Sequence, residues 1–120
     1  MSLALGKSNL GGMVAFDHRL RDQIVGRLVA AMQPDKIMLF GSRGRGTNRP
    51  ESDIDLLVIA ASDEPRYRRS ARLYGLLSDI LAPMDILVYT PQEVEDWSAV
   101  PQAFVTTAVR EGTVLYEKQG

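Results

Sequence analysis

Apolar residues recur along the chain in two rhythms, and the switches between them outline its elements. Over residues 17–33, Leu20, Ile24, Leu28 and Ala31 keep helical spacing, with Arg19, Arg21, Asp22 and Arg27 distributed around them. Asp17 supplies a capping carboxylate, and Gln33-Pro34-Asp35 a stop, because the residue before proline is pushed out of the helical region. KIMLF at 36–40 is a short continuous apolar run between Pro34 and Gly41, the pattern of a buried strand. DIDLLVIA at 53–60 predicts a second strand, apolar on both faces toward its end, as a central strand under helices requires. Between the two lies a dense run of turn formers, GSRGRGTNRPES, at 41–52. Ser62-Asp63-Glu64-Pro65 combines a cap, first-turn acids and an early proline, and predicts a helix to about Leu81. In that helix Leu73, Leu77 and Ile80 face the core, and Arg66, Arg69 and Arg72 share another face. Ala82-Pro83 ends it, and MDILVY at 84–89 predicts a third strand. Thr90-Pro91-Gln92-Glu93 opens a short helix to about Trp97; a last helix within 101–110, closed by Gly112, precedes a short strand at 113–116.

The resulting order is helix, strand, strand, helix, strand, helices, strand. The first two strands are joined without a long helix, so they need not run parallel, and a small mixed sheet packed by helices follows: an α/β (α+β) fold. A chain of 120 residues suits one domain. Residues 1–16, the first dozen of them rich in Gly, Ser and Asn, read as an N-terminal arm, and 17–120 as the domain. Internal repeats and low-complexity blocks are absent from the sequence.

Composition narrows the chemistry. Apolar residues make up 45%, enough for a core, and 14 basic against 15 acidic side chains leave a net charge of -1. That balance argues against extended nucleic-acid binding, whose footprint is strongly basic. With no cysteine and one histidine, His18, neither a disulfide nor a structural zinc site is expected. His18 itself reads as a surface helix residue. No apolar run approaches membrane-spanning length and no signal-peptide pattern opens the chain, so a cytoplasmic protein without membrane contact is the expectation.

The chemistry-bearing residues gather in the centre. Asp53 and Asp55 are two apart in a strand, so both side chains leave one face. Carboxylates on one face repel unless a cation or proton separates them, and a hard divalent ion such as magnesium takes oxygen ligands while leaving positions for water and phosphate. If the third strand lies beside the second, Asp85 joins the pair, and three acids can serve two metal ions. Gly41 permits close backbone approach to a ligand. Ser42 can cap a short helical turn whose free N–H groups face a phosphate. Gly44 and Gly46 keep the loop thin, and Arg43, Arg45 and Arg49 bring positive charge to it. Each part alone has a structural reading: a Gly-Arg loop is an ordinary turn, a lone DxD an end cap, Asp85 an edge residue. The sharper reading comes from their order, which is buried strand, Gly-Ser, Arg/Gly loop, DxD on a second strand, acid on a third.

These residues resemble the polymerase-beta-like nucleotidyltransferase superfamily, and specifically its minimal nucleotidyltransferase (MNT) domain proteins. The resemblance rests on KIMLFGSRGRG, ESDIDLLV and MDILVY, with the close PQAFVTTAVREGTVLYE, and covers nearly all of residues 17–117. It implies transfer of a nucleoside monophosphate, AMP foremost, from a magnesium-bound triphosphate such as ATP to an acceptor hydroxyl. Two Mg2+ ions are implied, with Mn2+ as a substitute. Asp53, Asp55 and Asp85 would be the metal ligands and catalytic acids, with Asp85 on the ion that activates the acceptor; Gly41 and Ser42, with Arg43 and Arg45, would hold the triphosphate. Larger members carry further domains that select the acceptor, for which this chain has almost no room. Minimal members are often paired with a small all-helical HEPN-type protein and act as antitoxins, some by adenylylating that partner and others by binding. The resemblance therefore implies a protein adenylyltransferase-like enzyme, with a non-catalytic antitoxin of a HEPN/MNT toxin–antitoxin pair as the alternative; a homo-oligomer is compatible with either. The Arg66, Arg69, Arg72 row reads as a docking face or a solvated helix face, and Trp97 and Phe104 read as core residues rather than base-stacking platforms.

Overall fold

A computed structural model describes residues 17–40 and 54–119. The arm expected over 1–16, and Gly41, Ser42, Arg43, Arg45 and Asp53, lie outside the described residues. Helix α1 (His18–Met32) starts where the sequence places a cap: the Asp17 carboxylate accepts from the Leu20 N–H. It ends where Gln33-Pro34-Asp35 predicts: Gln33 leaves the right-handed helical region for a left-handed conformation, with φ 48°, and its N–H closes on the Val29 carbonyl. Leu20, Ile24 and Leu28 are buried as their spacing predicts, whereas Ala31 is exposed and Met32 takes the inward place at that end.

Strands β1 (Lys36–Phe40) and β2 (Ile54–Ile59) pair antiparallel, and β3 (Met84–Tyr89) runs parallel to β2 on its other side. The last strand, β4 (Thr113–Glu117), pairs antiparallel with β1, giving the sheet order β3-β2-β1-β4. The sheet is thus mixed, and β2 is central, buried from Leu56 to Ile59. Alternation along the strands divides the core in two. One face presents Ile37, Leu39, Leu56, Val58, Ile86 and Val88 to α1 and to Leu73 and Leu77. The other presents Met38, Leu57, Ile59 and Tyr89 to Val105 and Ala108 of α5 (Phe104–Glu111). Each fully buried Ile or Leu contributes about 1.5–3 kcal/mol at most, so these two stripes carry most of the stability. Gly112 joins α5 to β4 where a Cβ would sit 2.7 Å from the Ala108 carbonyl oxygen and 2.9 Å from that of Leu39, closer than a side chain tolerates.

The helix expected from residue 62 to about 81 is broken. Two short pieces form instead, α2 (Arg66–Arg69) and α3 (Ala71–Leu76), followed by turns in which Ser78 and Ile80 donate to Gly75 and Leu77, three residues back. Gly75 weakens a helix at that point, and Arg69 is drawn into the protein interior rather than left on a helix face. Helix α4 (Pro91–Trp97) opens with the capping box that Thr90 and Glu93 predict. Trp97 and Phe104, expected in the core, are 44% and 49% exposed. Among the described residues no helix is long and apolar enough to cross a membrane.

Candidate functional site

The parallel ladder sets Asp55 of β2 beside Asp85 of β3, as direct register partners. Ladder contacts bracket them: Ile54 N–H donates to Pro83 O at 2.9 Å, and Ala60 N–H to Tyr89 O at 2.9 Å beyond the far end. Partners in a parallel pair share a face, so the two carboxylates leave the sheet on the side covered farther along by α5. Asp55 also faces Phe40 across the antiparallel ladder. The row across one sheet face therefore reads Asp85, Asp55, Phe40, with Phe104 edge-on to Phe40, ring centroids 5.2 Å apart. Asp85 is exposed and Asp55 half-buried, whereas Leu57 and Tyr89, one and two side-chain steps farther along that face, are buried. Among the described residues, two carboxylates are thus placed side by side at the more exposed end of an apolar face, an arrangement that can accommodate a cation.

Phe40 is the last described residue of β1, so Gly41, Ser42, Arg43 and Arg45 follow in sequence from the row that holds the two acids. Among the described residues no three His, Cys, Asp or Glu side chains gather into one cluster; Asp53 is outside them.

The arginines resolve differently from their sequence pattern. Arg69 is 8% exposed. Its Nε donates to Glu64 O at 2.8 Å, its Nη1 to Val88 O at 3.1 Å, and its two Nη atoms to the Glu93 carboxylate at 2.7 and 3.1 Å. Arg66 lies over the Tyr89 ring, 4.3 Å from its centroid, and 3.8 Å from Glu93, while Arg72 pairs with Glu64. Arg69 alone leaves the expected face, clamped onto the far end of β3, whereas Arg66 and Arg72 stay exposed, as either the docking or the solvated reading requires. The Arg69 guanidinium brings the Glu93 carboxyl down to about 2, against the opposing effect of burial and with help from the Thr90 N–H and Arg66.

Sequence reasoning missed two residues beside the acids. Phe40 enters the acid row through strand register, and its position just before Gly41-Ser42 was the available signal. Tyr74 of α3, whose Oη accepts the Ile86 N–H at 2.9 Å, carries no sequence signal, because the contact joins separate elements.

Residues 22–120 match the family model described as Polymerase beta, Nucleotidyltransferase. A comparison with curated proteins finds no match. Among solved structures, the chain is similar to a toxin–antitoxin complex with AMP-PNP (24% identity, 82% of this chain and 74% of the other covered, TM-score 0.58). It is also similar to a putative nucleotidyltransferase from Sulfolobus solfataricus (19% identity, 83% and 79% covered, TM-score 0.56). A third is a mutant of the toxin–antitoxin MntA–HpeT carrying two Asp-to-Glu changes two positions apart (22% identity, 82% and 74% covered, TM-score 0.56). At these identities the likeness is one of fold.

Proposed function

The chain belongs to the polymerase beta nucleotidyltransferase family, and on that premise we propose that it transfers a nucleoside monophosphate, AMP foremost, from a nucleoside triphosphate to a hydroxyl on a partner protein. The observation that carries this reading is the register pairing of Asp55 with Asp85. Two carboxylates side by side are an oxygen-only donor set, which fits a hard divalent ion rather than zinc or copper. Asp53, Asp55 and Asp85 would hold Mg2+ or Mn2+, which when bound neutralises charge on the phosphates and on the attacking oxygen.

The chain's own residues supply the rest. Gly41 and Ser42, with Arg43 and Arg45, would bind the triphosphate through backbone N–H groups, the serine hydroxyl and positive charge. Asp85, exposed near the start of β3, would meet the acceptor and orient its hydroxyl. The acceptor oxygen forms a bond to the α-phosphorus, the bond to the bridging oxygen breaks, pyrophosphate leaves and the hydroxyl proton passes to solvent. Positioning and charge neutralisation account for most of such a reaction.

The AMP-PNP complex among the structural neighbours supports ATP as donor, and two neighbours that are toxin–antitoxin assemblies support a protein partner, for which a small all-helical HEPN-type protein is the candidate. The same neighbours favour a second reading, an antitoxin that neutralises its partner by binding alone. Incubation with labelled ATP, CTP, GTP or UTP, magnesium and the product of the adjacent gene, followed by intact-mass analysis of both proteins, separates the two. A nucleotidyl adduct on the partner that disappears in Asp55→Asn is expected. Complex formation with no adduct from any nucleotide would replace transfer by binding.

A further inference from the structure

We infer that Tyr74 is a positioning residue for Asp85, a role that rests on the acid pair being the metal site. Among the described strands β3 lies at the edge of the sheet, with β2 pairing it on one side. Because Pro83 O and Tyr89 O face β2, the odd positions 83, 85, 87 and 89 present their backbone groups to the ladder and the even ones face outward. The peptide unit that follows Asp85 consequently has its carbonyl toward β2 and its N–H, that of Ile86, toward the open edge. Tyr74 Oη accepts this N–H at 2.9 Å. The peptide that carries the Asp85 carboxylate is thereby held from both sides.

Tyr74 is held at its backbone, while the residue itself stays partly exposed. Its neighbour Leu73 is buried in the core, and its own N–H donates to Ser70 O at 3.0 Å. Farther along the same edge, Arg69 donates to the Val88 carbonyl, so one outward N–H and one outward carbonyl are held by two different side chains. Arg69 serves the buried end of β3, whereas Tyr74 serves the acid end, adding a second restraint to the ladder that sets the Asp85 carboxylate beside Asp55.

The test uses Mn2+ as probe, with a nonhydrolysable ATP analogue, on the full chain. Wild type, Tyr74→Phe, Asp85→Asn and the double variant are titrated by electron paramagnetic resonance, with Tyr67→Phe as an exposed tyrosine control. Exchange of the Ile86 amide is followed by NMR. Tyr74→Phe should weaken Mn2+ binding about three- to tenfold, the equivalent of one lost hydrogen bond, and speed Ile86 exchange about tenfold or more. The double variant should bind no more weakly than Asp85→Asn alone, since a residue that acts through Asp85 has nothing left to position. Wild-type affinity in Tyr74→Phe overturns the inference, as does a Tyr74→Phe loss that adds in full to that of Asp85→Asn, the mark of general loosening. Equal Mn2+ affinity in wild type and Asp85→Asn instead removes the acid site itself, and the role of Tyr74 with it.

Discussion

Strand β3 begins with an acid set beside another acid and ends against an arginine–glutamate pair, and the two ends handle charge in opposite ways. At the far end, Arg69 and Glu93 meet bidentately, Arg66 covers Tyr89, and the Val88 carbonyl is taken by Arg69. Opposite charges there stabilise each other and fix the fold. At the near end, backbone register brings Asp55 and Asp85 together on one face. Two carboxylates in register on one face are an arrangement that can serve a site as well as a scaffold. The contrast teaches that charged residues at the two ends of one strand divide by neighbour: the arginine–glutamate end holds the structure, and the end that brings two acids into register is the one proposed above for a cation and phosphate.

Changes at the two ends should therefore separate chemistry from stability. The largest effect is expected at the acid end. Asp85→Asn keeps the shape but removes one negative charge, and should lower transfer about a hundredfold or more while triphosphate binding falls less than about tenfold. Single-turnover transfer at saturating nucleotide beside a binding titration measures both. Full transfer in this variant would break the comparison at its acid end.

At the other end, Arg69→Ala removes the bidentate partner of the half-buried Glu93 carboxylate and leaves it Arg66 at 3.8 Å. Unfolding free energy should drop by about 2 kcal/mol, below the range for fully buried pairs because Glu93 keeps some contact with water. Urea denaturation reads this, and Mn2+ affinity of the folded variant should stay near that of wild type. Strong loss of metal binding with unchanged stability would reverse the roles assigned to the two ends.

A smaller effect is pH-dependent. Glu93 is held at about 2 in the folded protein against an ordinary 4.5. A depressed carboxyl stabilises the fold above its unfolded value, and that contribution is lost as pH falls from about 5 toward 2. Full linkage for such a shift would be about 3 kcal/mol; solvent screening of the partly exposed Glu93 reduces the expected loss to the order of 1–2 kcal/mol, read as a fall in the urea midpoint that Glu93→Gln flattens. An identical pH profile in Glu93→Gln would mean that other carboxylates govern acid unfolding.

The smallest expected change is Ser42→Ala. One hydroxyl contact to phosphate is removed while backbone N–H groups remain, so triphosphate affinity should weaken by about 1 kcal/mol, roughly fivefold. Unchanged affinity in a calorimetric titration would count against the Gly41-Ser42 segment as the phosphate cradle.

What the sequence determined by itself was local and periodic. Helical spacing identified Leu20, Ile24 and Leu28 as a buried stripe, the turn chemistry of Thr90 and Glu93 placed α4, and three short apolar runs placed three strands. Each of these signals arises from interactions within a few residues, or from burial that any compact packing would require. The order of Gly41-Ser42, Asp53, Asp55 and Asp85 carried the family, which the match over residues 22–120 bears out. Tertiary structure decided what depends on partners distant in sequence. It set β3 parallel to β2 so that Asp55 meets Asp85, and it broke the helix expected after Ser62. It also turned Arg69 inward to Glu93 and the outer edge of β3, left Trp97 and Phe104 half exposed, and brought the Tyr74 hydroxyl to Ile86. The physical reason is common to these cases: an arginine or tyrosine at helical spacing looks the same in sequence whether its polar end reaches water or an unpaired backbone group, and only the folded edge of the sheet presents that group.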